Sequence, residues 1–201
     1  LVLPGFAPAQ ECELRKAQDS IFVYACKTSD SKIKSIRAEF VVPATPGVLV
    51  AHLLNVPAYT QWQYKMIEAR VLKKIGDHEL IYQSQVQAPW PVSNRDLIVH
   101  LSIQQDAATK AMTFTMKGRP DFVAPVEGVV RVPRSDGKWV VTPRSDGKLQ
   151  VRYTFTVDPG GSVPVWLLNL SIAEGPFNTF RNLIHRIKTG PPVKPVPGIL
   201  N

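Results

Sequence analysis

Four histidines and two cysteines are all that 201 residues hold of the side chains most often used to ligate metals or carry nucleophilic chemistry. His52 falls on an apolar helical stretch, His78 in a turn, His100 in a strand and His185 late in a C-terminal helix. No two of them stand at metal-ligand spacing, and none has an evident acid or cysteine partner, so surface or packing roles are the expectation and no metal or other cofactor is called for. No Gly-x-Ser-x-Gly elbow marks a serine nucleophile. No apolar run approaches the roughly 20 residues of a membrane-spanning helix. Acidic side chains are also in deficit, 16 against 24 basic, and the net charge of +8 favours anionic partners. The basic residues are scattered, without aromatic-interleaved clusters or finger-like Cys/His spacing, so no nucleic-acid partner is expected and an acidic membrane surface suits the charge better.

The length suits one domain that buries about 70% of its unfolded surface. Residues 1–9 begin without Met and end in Ala7-Pro8-Ala9, the small-x-small pattern of a signal-peptide cleavage site, so 1–10 reads as an N-terminal tail: an export-signal remnant or an arbitrary boundary. Cys12 and Cys26 flank strand-like pieces at 14–17 and 21–25 around Gln18-Asp19-Ser20. A hairpin centred on Asp19 sets the two cysteines opposite each other. A disulfide there closes a loop of about 15 residues, worth about 3 kcal/mol in the chain-entropy model, and persists only in an oxidising compartment. The expected location is periplasmic or secreted, the alternative being cytoplasmic and peripheral to a membrane.

Alternation of apolar and polar residues predicts strands at 34–42, 64–74, 79–87, 95–105, 111–118, 129–132, 138–142 and 149–157, mostly antiparallel. Thr45 as N-cap and Pro46 at N1 open a helix ending before Asn55, with Val48, Leu49, Val50, Leu53 and Leu54 as its apolar stripe. The hexapeptide Pro-Arg-Ser-Asp-Gly-Lys occurs at 133–138 and again at 143–148, and each Asp-Gly signals a hairpin turn. A long helix is predicted from near Pro164 to about Lys188, with Val165, Leu168, Ile172, Phe180, Leu183, Ile184 and Ile187 at helical spacing and a kink or loosening at Gly175-Pro176. The main domain is 11–189. Residues 190–201 contain four prolines and read as a flexible tail.

The densest signal is Ala88-Pro89-Trp90-Pro91-Val92-Ser93-Asn94-Arg95-Asp96, which drives a charged pair into the start of an apolar strand. Arg95 shares a face with Leu97, Val99, Leu101 and Ile103, while Asp96 goes with Ile98, His100 and Ser102. Adjacent strand positions cannot pair with each other. If the first face is buried, the guanidinium there needs a protein carboxylate, with Glu68 or Glu79 as candidates, or an anionic ligand.

This block, together with Tyr59-Thr-Gln-Trp62, Val157-Asp-Pro-Gly-Gly-Ser-Val-Pro-Val-Trp166 and the helix that follows, resembles the START (StAR-related lipid transfer) domains, in particular their bacterial members. The resemblance covers roughly 11–189. It implies an α+β helix-grip fold, in which a curved antiparallel β-sheet wraps a long C-terminal α-helix around an internal hydrophobic cavity that holds one lipid. The implied function is non-enzymatic lipid binding and transfer, with burial of each methylene supplying roughly 0.8 kcal/mol.

The resemblance also implies site residues. Arg95 matches an arginine that meets lipid phosphate in the phosphatidylcholine-transfer branch, and its planar fork suits two phosphate oxygens. Trp90 matches a membrane-inserting tryptophan of the ceramide branch, while Ser162 replaces that branch's second tryptophan and leaves Val163 or Trp166 as substitutes. Tyr153 and Ser84 match polar ligand contacts. The expected wall adds Tyr82, Leu97, Val99, Leu101, Phe114, Phe155, Leu168 and Ile172. The ceramide-specific acid and base are missing from 55–66. The sterol pair is missing too, because Leu101 stands where its second arginine belongs and Tyr82 or Gln83 where its acid belongs. A phospholipid is therefore the favoured ligand, with sterol or fatty acid as alternatives, carried by a monomer that touches anionic membrane transiently. Two rival readings are a polyketide cyclase or aromatase on the same fold, and a lipid-responsive sensor.

Overall fold

A computed structural model describes residues 11–29, 34–163 and 165–200, with backbone alone for 165–171; the export reading of residues 1–9 lies outside the described residues. The chain forms β1 (Cys12–Gln18), β2 (Ile21–Cys26), β3 (Lys34–Val42), α1 (Pro46–Leu54), a 3₁₀ turn (Val56–Gln61), β4 (Met66–Gly76), β5 (Glu79–Val86), β6 (Arg95–Gln105), β7 (Met112–Gly118), β8 (Val130–Arg131), β9 (Arg134–Pro143), β10 (Leu149–Asp158) and α2 (Val165–Thr189). The strands make one sheet in the order β1-β2-β3-β10-β9-β7-β6-β5-β4. Every pairing is antiparallel except that of β8, which lies parallel against the start of β6. The sheet with its long C-terminal helix is the predicted α+β helix-grip arrangement.

Alternation along the strands puts Phe40, Phe114, Val141 and Val151 on the inner face, where each is fully buried. The C-terminal half of α2 packs there through Phe177, Phe180 and Leu183, and burying side chains of this size stabilises the fold by roughly 1.5–3 kcal/mol each. Phe180 stacks on Phe40 at 4.3 Å, and Trp139 stands edge-on to both, at 5.5 and 5.9 Å. Offset and edge-to-face rings are the favoured aromatic geometries. Lys16 of β1 closes this end, bonding Glu174 at 2.6 Å while lying over the Phe177 ring at 4.3 Å.

Three expectations need correction. Residues 134–138 of the first copy of the repeated hexapeptide lie inside β9, and only the second copy forms a turn, with Gly147 at φ +75°. Gly137 of the first copy is paired on both sides, to Met116 of β7 and Phe155 of β10. A Cβ at Gly137 would lie 2.3 Å from Met116 Cε, so here glycine serves a close approach. Because β8 pairs with β6, the segment before β9 has no strand to turn back along.

The first hairpin turns tightly at Asp19-Ser20, with φ of 53° and 60° and Gln18 opposite Ile21, one step off the predicted centre. Between Leu14 and Lys16 a bulge inserts one residue and restores the register, so Cys12 does face Cys26 and the two form a disulfide.

Residues 191–200, expected to be free, run across the fold instead. Val193, Val196 and Ile199 are half-buried at every third position, the spacing that a proline-rich extended helix gives to one face. The Val196 amide bonds the Gly47 carbonyl at 3.3 Å, and Leu200 exchanges two bonds with the Gln105 side chain at 2.8 Å each. Helix α2 is continuous through Gly175-Pro176.

Reducing the Cys12–Cys26 bond is expected to lower the unfolding free energy by about 3 kcal/mol; identical urea midpoints with and without reductant would contradict this. His52, 5% exposed on α1, has its pKa lowered by burial and secondarily by the Arg186 charge. Between that lowered value and the ordinary 6.5 the unfolded chain binds more protons, so stability is present above pH 6.5 and falls as pH drops through the window. The His52→Gln variant is expected to flatten the urea midpoint between about pH 7 and about pH 5 relative to wild type; a curve parallel to wild type would refute the assignment.

Candidate functional site

Where the sheet curls away from α2 it leaves a cavity of about 600 Å³. Its walls are mainly apolar: Leu97, Val99 and Leu101 from β6, Phe114 from β7, Phe155 from β10 and Ile172 from α2, all positions expected from the sequence. Trp139 and Phe180 of the aromatic cluster bound it as well. Such a volume sits within the ordinary range of small-molecule sites, roughly 300–1,000 Å³.

Hydroxyls interrupt the apolar wall. Tyr82 and Ser84 follow each other on the inner face of β5, 7% and 3% exposed, and Tyr153 reaches in from β10. Burial raises the pKa of both tyrosines, and that of Tyr153 rises further because an ionised Tyr82 would repel it. Both therefore stay protonated and can donate as well as accept. Tyr59, packed edge-on to Tyr82 at 5.5 Å, gives its hydroxyl to the Leu53 carbonyl. Among the described residues Trp62 Nε1 is a buried donor without a partner.

Arg95 and Asp96 begin β6 and face opposite ways. Arg95 lines the cavity, and no carboxylate among the described residues pairs with it: Glu68 lies 3.8 Å from Arg70 and Glu79 lies 2.6 Å from His100. The expectation that His100 lacks an acid partner is corrected by the same pair. The guanidinium instead donates to three backbone carbonyls, from Nη1 to Ser93 at 2.5 Å, from Nε to Pro159 at 3.3 Å and from Nη2 to Gly160 at 3.1 Å. Neither a carboxylate nor an anion is needed to satisfy these donors, because the carbonyl dipoles of the neighbouring loops accept from them. Burial lowers the Arg95 pKa from its ordinary value, yet an arginine remains charged.

Asp96 is 2% exposed on the outer face and takes the buried ion pair, accepting from Arg131 Nε and Nη2 at 2.9 and 2.7 Å and from Gln83 Nε2 at 3.0 Å. Arg131 also donates to the carbonyls of Pro120, Val123 and Ala124, pinning the 119–129 loop over the outside of β6. That pairing sets β8 beside the first residues of β6, so it fixes where Arg95 and the preceding loop sit.

The mouth lies between the 87–94 loop, the 159–163 loop and residues 63–66. Trp90 projects from the first of these at 91% exposure, far more than any other large apolar side chain in the described residues, and the packed-core alternative for it is excluded. Tyr64 and Lys65 stand on the rim, with Lys65 Nζ 5.6 Å from the Tyr64 ring. Val163 lines the cavity. The side chains of Trp166 and Leu168 lie outside the described residues. Alternation could have added Ile36, Met116 and Val157 to the wall. Tyr59, Trp62 and residues 63–66 come from a 3₁₀ turn and loop whose fold carries no periodic signal.

Residues 13–189 match the family model for the START domain. A protein of Pseudomonas aeruginosa, uncharacterized protein PA1579, is 30% identical over 179 residues, 89% of this chain and 88% of that one. The mouse phosphatidylcholine transfer protein is 25% identical over 147 residues, 70% of this chain and 66% of that one. Among solved structures, a STAR-related lipid transfer protein fragment from Xanthomonas axonopodis superposes with a TM-score of 0.80 at 31% identity, covering 89% of this chain and 99% of that one.

Asp96→Asn or Arg131→Met, each of which strands a buried partner, is expected to cost about 3–5 kcal/mol in urea unfolding, with the double variant Asp96→Leu/Arg131→Met recovering much of it. Single variants within about 0.5 kcal/mol of wild type would remove the pair from its structural role.

Proposed function

This chain belongs to the START domain family, and on that premise we propose that it binds one lipid in the cavity and carries it between membranes without chemical change. The observation that carries the reading is the cavity itself: about 600 Å³ of mainly apolar wall between sheet and helix, beside a 91%-exposed indole. Burial of acyl methylenes at roughly 0.8 kcal/mol each offsets the loss of bilayer contacts. The work asked of the site is binding and release, which needs no nucleophile or general base.

In this reading the ligand's polar end meets Tyr82, Ser84 and Tyr153, and a phosphate is received by Arg95, three of whose five N–H groups are engaged with carbonyls. A phospholipid is the favoured class, in keeping with the guanidinium at the mouth and with the name of the mouse relative. Trp90, beside prolines and next to the basic rim of Lys65 and Arg95, enters the interface of an anionic membrane. The Cys12–Cys26 disulfide supports an oxidising location, periplasmic or secreted.

Trp90→Ala is expected to slow vesicle-to-vesicle transfer roughly tenfold, the factor 1.4 kcal/mol supplies, while equilibrium loading stays at the wild-type level; equal losses in both assays would return Trp90 to a structural role. Arg95→Leu is expected to reduce loading of phosphate-bearing lipid by about tenfold or more and to spare fatty acid. Unchanged phospholipid loading would remove Arg95 from the head-group site.

A further inference from the structure

The tyrosines around the cavity are not equally satisfied. Tyr59 gives its hydroxyl to the Leu53 carbonyl, whereas no hydrogen bond joins the hydroxyls of Tyr82, Ser84 or Tyr153 to any described residue. Buried polar groups are normally paired, so three such groups in one wall call for a partner. None of the three is among the side-chain atoms sealed away without a partner, so each keeps accessible surface, and that surface opens into the cavity. Tyr153 shows this best. The rings of Trp139 and Phe180 stand edge-on to it at 5.3 and 5.0 Å, yet it remains only half-buried.

The sheet register gives the depth of these hydroxyls. Val86 lies opposite Arg95, Ser84 opposite Leu97 and Tyr82 opposite Val99. At ~3.4 Å per residue, Ser84 stands ~7 Å and Tyr82 ~14 Å inward from the level of Arg95. Tyr153 reaches in from β10, near enough for an ionised Tyr82 to repel its own ionisation. The cations that line the cavity are elsewhere. Lys34 lies opposite Val157, four residues along β10 from Tyr153, and Lys65 precedes Met66, which lies opposite Val86 at the level of Arg95. A carboxylate placed at the hydroxyls would therefore be a buried anion without a countercharge, which the site disfavours. What it accepts is a neutral oxygen. Solvent in the unloaded cavity can serve the hydroxyls, but a ligand that displaces it must reproduce those bonds. An alkyl chain cannot, and each hydroxyl left unpaired costs about 1–3 kcal/mol.

We propose that Tyr82, Ser84 and Tyr153 form an ester-reading subsite: their hydroxyls donate to the carbonyl oxygens of the ligand's acyl esters, so the cavity takes ester-linked phospholipids and rejects ether-linked ones. The proposal rests on the carrier reading above and adds the linkage that it selects. In a glycerophospholipid the ester carbonyls follow the phosphate by a few bonds and precede the acyl chains, the order in which Arg95, the hydroxyls and the aromatic wall are met from the mouth. A dialkyl lipid carries the same phosphate and chains but only ether oxygens, which are weaker and more hindered acceptors.

The test is equilibrium loading of the full chain from vesicles containing dipalmitoylphosphatidylcholine, its di-O-hexadecyl analogue, or both, read by mass spectrometry of the extracted lipid. Wild type is expected to load the ester about tenfold or more over the ether, the ratio that one unpaired buried hydroxyl supplies. Tyr82→Phe/Ser84→Ala/Tyr153→Phe is expected to abolish the preference from both sides, loading less ester and as much ether or more. Loss of packing would lower both lipids together. Tyr82→Phe and Tyr153→Phe, which keep both rings, are expected to fall between. With carbonyl-labelled dipalmitoylphosphatidylcholine bound, the infrared carbonyl band is expected at lower frequency in wild type than in these variants, as hydrogen bonding requires. A wild-type ratio near one, or a band unmoved by the substitutions, overturns the subsite and leaves the carrier reading standing. A chain that loads neither lipid overturns both.

Discussion

The aromatic stack of Phe40, Phe180 and Trp139 is the contact on which the rest of the molecule depends. It ties the C-terminal half of α2 to a sheet curved too strongly for one helix to fill. The strands, each rotated from the last by the ordinary right-handed twist, curl around the helix. One end of the concavity is packed with rings and the other is left open. A cavity of about 600 Å³ is what this geometry leaves. Such a space is unfavourable in a core and useful in a carrier, because the contacts it forgoes are those a ligand supplies.

Two adjacent charges at the start of β6 solve opposite problems. Asp96 is buried on the outside and fully satisfied by Arg131 and Gln83, which makes the beginning of the strand a fixed point. Arg95 faces inward, where it donates to carbonyls of the two loops that frame the mouth. The fixed member of the pair positions the other. The hydroxyls of Tyr82, Ser84 and Tyr153 lie further along the inner face of the sheet, and burial keeps the two tyrosines protonated, so they meet a ligand as hydrogen-bonding groups.

Much of this was legible in the chain. Period-two alternation placed Leu97, Val99, Leu101 and Phe155 on one wall, and the family motifs singled out Arg95, which lines the cavity, and Trp90, which is exposed. What escaped the sequence was set by long-range pairing. The repeated residues form a strand at 134–138 and a turn at 144–148, because β7 and β10 pair with the first copy while the second connects β9 to β10. Neither the bulge near Arg15, which brings the cysteines into register, nor the docking of Val196 and Ile199 against the core has a local signal. The partners of Arg95 were missed for a related reason: backbone carbonyls carry no letter in a sequence.

The central claim is that the cavity holds a lipid, and native mass spectrometry of the purified protein, followed by organic extraction and identification of what is released, addresses it most directly. The account predicts one bound phosphate-bearing lipid per chain, lost on extraction and regained from vesicles. A protein that carries nothing and takes up nothing from phospholipid, sterol or fatty-acid vesicles would contradict it.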